Sequence, residues 1–78
     1  MTDIHVTFKK HEIGELVYEF DAQVEYLDPD NVLRELQNFC RTIDITEDYD
    51  VAVSVDTRGD VFRGVLYKDG NWSGLWIN

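Results

Sequence analysis

The stretch from Leu16 to Tyr26 constrains the fold more than any other in this chain. Leu16, Tyr18, Phe20, Ala22, Val24 and Tyr26 fall on one side of an extended backbone, and Val17, Glu19, Asp21, Gln23 and Glu25 fall on the other. A period of two is the signature of a half-buried strand. A strand with one apolar and one acidic side belongs in a sheet that is covered on one face and open on the other.

The rest of the chain supplies the partners. Ile4, Val6 and Phe8 alternate with His5, Thr7 and Lys9, which predicts a first strand, and His11 to Glu15 read as the turn that joins it to the second. Asp28-Pro29-Asp30 offers an N-cap, a proline at the first helical position and an acid in the first turn. Val32, Leu33, Leu36, Phe39, Cys40 and Ile43 then recur at helical spacing, so one amphipathic helix runs to about Ile43. After an acidic loop from Asp44 to Asp50, Val51, Val53 and Val55 restore the alternation, and Arg58-Gly59 and Asp69-Gly70 mark two hairpins.

Read as two-residue loops, these hairpins set Val55 opposite Phe62, Val53 opposite Gly64, Leu66 opposite Ser73 and Gly64 opposite Leu75. The expectation is one α+β domain over residues 1–78 in the order β-β-α-β-β-β. Its five-stranded sheet is antiparallel or mixed, with one helix packed on one face. The expected core is Leu16, Tyr18, Phe20, Val24, Leu33, Leu36, Phe39, Val53, Val55, Phe62, Leu66, Leu75 and Ile77. The same registers send Ala52, Ser54, Asp56, Val61, Arg63, Val65, Tyr67, Trp72, Gly74 and Trp76 to the open face.

Charge narrows the function. Of the net −9, the segment from Glu12 to Asp50 carries −10, with twelve acids against Arg34 and Arg41. A field of that sign repels nucleic acid and anionic membranes and draws in basic surfaces over about 8 Å at physiological salt. It also serves solubility, and a solvated strand face explains it as well. The single cysteine, Cys40, excludes an internal disulfide, and no apolar run approaches the roughly 20 residues of a membrane span. With no basic or apolar leader at Met1 to His5, the expected setting is the cytoplasm.

Sites with chemistry of their own find little support. The loop Asp44 to Asp50 spaces oxygen ligands like a calcium loop but has Tyr49 and Val55 where that motif needs glycine and glutamate. His5, His11 and Cys40 lack zinc spacing, and Cys40 lies on the buried helix face. Neither Cys40 nor Ser54 nor Ser73 has the neighbours of a nucleophile, and no glycine-rich phosphate loop is present. The expectation is therefore no enzyme, no metal and no cofactor. Direct nucleic-acid binding by the open face is opposed by Glu19, Asp21, Glu25 and Asp56, which outweigh Lys9, His5 and Arg63.

Two features remain without a purely structural role. Alternate strand residues are about 6.6 Å apart, so Glu19, Asp21 and Glu25 present negative charge at intervals comparable to the phosphates of one nucleic-acid strand. A groove of Lys and Arg cannot easily tell the two apart. Tyr67, Trp72 and Trp76 form the second feature, an aromatic patch with Arg63 placed to lie across an indole. That patch fits either a partner contact or a homodimer through the sheet face.

In size, acidity and small-sheet-plus-helix layout, the whole chain resembles small phage-encoded inhibitors of bacterial defence, notably anti-CRISPR and DNA-mimic anti-restriction proteins. Those families share no motif, so the resemblance carries over no residue roles. It implies a non-catalytic inhibitor that occludes a basic nucleic-acid channel of a protein partner. A second likeness is to immunity proteins that neutralise basic nuclease toxins, and a small oligomeric accessory protein is the third reading.

Overall fold

Asp28 accepts a hydrogen bond from the Asn31 N–H at 2.9 Å, which caps the helix α1 (Pro29–Cys40), with the proline in its first turn as the sequence predicts. In the computed structural model, which describes residues 1–56 and 58–74, five strands accompany it: β1 (Thr2–Lys10), β2 (Leu16–Val24), β3 (Tyr49–Val55), β4 (Gly59–Leu66) and β5 (Trp72–Ser73). They form one sheet in the order β2-β1-β3-β4-β5, and every neighbouring pair is antiparallel. The α+β class and the element order match the expectation. Both strand two and the helix end earlier than predicted, at Val24 and Cys40.

One core fills the space between α1 and the sheet. Ile4, Val6 and Phe8 of β1 are almost fully buried, as are Val51 and Val53 of β3 and Val32 and Leu36 of α1. Phe8, Tyr18, Phe20, Phe39 and Tyr49 form an aromatic cluster at its centre, with Phe20 stacked on Phe39 at 4.2 Å and 15°. Tyr49 is 2% exposed, although the sequence places it in an acidic loop. Its inclusion follows from β3 starting at Tyr49, where it pairs with Lys10 and Leu66.

Two bulges revise the predicted core. β2 slips register between Phe8 and Lys9 of its partner, so Tyr18 faces Phe8, Leu16 faces Lys9, and Val17 is the extra residue. Val17 therefore turns toward the core while Leu16 crosses to the open face, 45% exposed. A second bulge on β4 pairs Val53 with Phe62 and Ser54 with Asp60, leaving Val61 as the extra residue. Val61 and Phe62 consequently both point inward, and Val61 is 4% exposed where the open face was expected. Leu33 is only half-buried, and Leu75 and Ile77 lie outside the described residues.

Both glycine hairpins are longer than two-residue loops. Val55 pairs with Gly59, which has φ +67°, and the Val55 carbonyl accepts from the Arg58 N–H at 3.2 Å. In the next hairpin Tyr67 donates its N–H to the Asn71 carbonyl at 2.9 Å, and Gly70 has φ +92°. Each glycine follows the turn and supplies the left-handed residue that returns the chain to the ladder. Val53 accordingly meets Phe62, two places from its predicted partner, and Leu66 meets Trp72, one place from its own.

A candidate protein-binding face

The bulge-free part of β2 fixes the candidate site. From Tyr18 onward its core side carries Tyr18, Phe20, Ala22 and Val24, so Glu19, Asp21 and Gln23 project from the open face. The registers arrange that face in rows. Asp21, His5, Ser54 and Asp60 lie across four strands, and Glu19, Thr7, Ala52 and Arg63 form the adjacent row. A third row runs from Leu16 through Lys9, Asp50 and Val65 to Ser73. The middle of the face, floored by Thr7, Ala52, Ser54 and Val65, is a shallow trough of about 710 Å³.

His5 bridges the two acids. One ring nitrogen lies 2.7 Å from Asp21 and the other 3.2 Å from Glu19. The hydrogen bond to Asp21 is the main cause that holds the imidazole pKa above its ordinary value, with the negative charge of both acids adding to it. Glu19 and Asp21 remain open to solvent, their side chains 54% and 83% exposed. His11 makes a similar contact at 2.6 Å with Asp50, and its pKa is raised for the same reason.

The structure divides the predicted site residues. Glu19 and Asp21 share the open face with Arg63, but Arg63 stands on β4, three strands from β2 and thus about 14 Å away. Glu25 lies beyond the end of β2 and is not part of the row. Tyr67 is 38% exposed and follows β4. Trp72 is a correction: it pairs with Leu66, whose side chain is in the core, and it packs half-buried against that core. The one-place shift at the hairpin inverts the faces of β5, which removes Trp72 from the aromatic patch. Trp76 lies outside the described residues.

Other groups have local roles. The acidic loop spends Asp48 on the Lys68 N–H at 2.8 Å and Asp50 on His11. Cys40 packs against the core, and burial pushes its thiol up to about 11, which keeps it protonated and unreactive at neutral pH. Among the described residues, no helix is long and apolar enough to cross a membrane. The feature missed in the sequence is His5, read there as a surface histidine. Its signal was available, because antiparallel pairing of the first two strands brings it opposite Asp21.

No protein-family model matches the chain, and no curated protein or solved structure matches it.

Proposed function

We propose that this chain is a non-catalytic, cytoplasmic protein-binding inhibitor of the anti-CRISPR or anti-restriction kind. It lays the acidic end of its open sheet face on a basic nucleic-acid-binding surface of a bacterial defence complex and excludes the nucleic acid. The observation that carries the reading is the polarity of that face. Glu19 and Asp21 stand exposed on the outermost strand, while Arg63 is about 14 Å away, beyond the roughly 8 Å over which exposed charges interact at physiological salt. Lys9, opposite Asp50, stands one row from Glu19, and His5 lies between Glu19 and Asp21. Two exposed carboxylates share the one imidazole of His5, so the acidic end stays net negative toward a partner even when His5 is protonated.

The test is capture from a nuclease-treated lysate of the source organism, followed by competition. The captured partner should be released by added duplex DNA and by rising salt. Glu19→Lys with Asp21→Lys should weaken binding by about tenfold or more, or about 1.4 kcal/mol. Capture indifferent to salt, to DNA and to the double reversal would sink the proposal. A partner that is a nuclease toxin would move the chain to the immunity-protein reading, which uses the same surface.

A further inference from the structure

Among the described residues, β2 is the outermost strand of the sheet and is paired on one side only, with β1. Over its nine residues, about 30 Å of chain, every second residue turns its N–H and C=O away from β1. Edges of this length are usually blunted by charged side chains, lysine above all, by proline, by bulges or by an inward-pointing charge. β2, Leu-Val-Tyr-Glu-Phe-Asp-Ala-Gln-Val, has no lysine and no proline, and its one bulge lies at the start, at Val17, so the rest of the edge is guarded by charge alone.

What the strand does have is acid. If two copies paired antiparallel through β2 with full overlap, Glu19 would face Asp21 of the other copy. A shift of two residues either way would set Asp21 against Asp21 or Glu19 against Glu19. Like charges directly opposite each other in a sheet are destabilising. The edge therefore opposes its own copy and favours a strand of opposite charge. On the other face of the same edge, Tyr18, Phe20 and Ala22 are only half-buried, which leaves apolar surface at the rim.

We propose that the outer edge of β2 is a strand-addition site for an extended segment of the partner protein in which basic side chains alternate with apolar ones. The basic side chains pair with Glu19 and Asp21 on the open face, and the apolar ones extend the core beside Phe20. Main-chain hydrogen bonds give affinity and the alternation gives specificity. The inference rests on the proposed binding of a basic partner and adds the backbone geometry by which it is recognised.

The test uses the full chain and three end-blocked eight-residue peptides: one alternating Lys and Val, one alternating Glu and Val, and the Lys-Val peptide N-methylated at alternate amides. The Lys-Val peptide should slow hydrogen exchange at β2 amides that exchange freely in the unbound chain. It should also bind at least about tenfold more tightly than either control. Glu19→Lys with Asp21→Lys should reverse the preference in favour of the Glu-Val peptide. Equal binding of the N-methylated peptide would overturn strand addition while leaving the acidic-face inhibitor intact. Perturbations centred on the trough around Ala52, or no binding at all by a chain that still captures its DNA-competed partner, would also overturn it.

Discussion

Replacing Leu36 and Leu16 by alanine, one at a time, tests the bulge that sets the face of β2. Leu36 is fully buried between α1 and the sheet, whereas Leu16 is 45% exposed on the open side of the bulge at Val17. Leu-to-Ala changes in closed cores cost about 3–5 kcal/mol, the sum of lost transfer energy and the cavity left behind. For Leu16, about half of a full burial of 1.5–3 kcal/mol is at stake, so its replacement should cost no more than about 1 kcal/mol. A domain of 78 residues has roughly 4–12 kcal/mol of stability to lose. At about 4–8 °C per kcal/mol, a 3 kcal/mol loss at Leu36 lowers the melting temperature by roughly 12–24 °C. Urea titration followed by circular dichroism reads both variants, with the slope checked for constancy so that the midpoint reports stability alone. An unbroken alternation from Leu16 to Tyr26 would make both leucines core residues. Equal losses in the two variants would therefore refute the bulge and return Leu16 to the interior.

Two further outcomes follow from named contacts. The His5 pKa is raised by Asp21 and Glu19, so this contact's stabilisation is fully present below the unfolded value of about 6.5 and is lost as pH rises through the folded value. An NMR titration should place the His5 midpoint above the ordinary value and Asp21→Asn should lower it; a wild-type midpoint at or below the ordinary value removes the bridge. The Phe20–Phe39 stack ties α1 to the edge strand, and a double-mutant cycle with Phe20→Leu and Phe39→Leu should give a coupling of about 0.5–1.5 kcal/mol. A coupling near zero would mean that α1 is not seated on β2.

The elements were legible because their signals are local and agree with one another. The Asp28 cap, the proline after it and the spacing of Val32, Leu36 and Phe39 all specify the same helix, and Ile4, Val6, Phe8, Val51 and Val53 each sit where alternation places them. The registers were not legible, because each depends on a count of loop residues that composition leaves open. Asp-Gly occurs both inside two-residue turns and as the glycine that follows a longer one. At Asp69-Gly70 the longer form moves β5 by a single place and inverts it, which is why Trp72 meets the core. At Arg58-Gly59 Val55 meets Gly59, three places from its predicted Phe62, and the bulge at Val61 takes one place back, so Phe62 and Leu66 keep their predicted side while Val61 changes face.

The same reasoning explains which part of the candidate site survives. Glu19 and Asp21 depend on alternation within one strand after its bulge, so neither hairpin count touches them, and their face is set by Tyr18, Phe20 and Ala22 packing inward. Glu25 depends on β2 continuing past Val24. It cannot continue far, because Asp28 must reach the start of α1 and its N–H already turns back to the Tyr26 carbonyl at 3.0 Å. The acidic row is therefore shorter than the sequence implies and sits at the outermost strand rather than across the sheet. An acidic row of two residues imitates little of a nucleic-acid strand by itself. Combined with an unpaired backbone edge, it selects a basic strand more sharply than charge alone would, since the partner must then match both the sign of the side chains and the spacing of the main-chain groups.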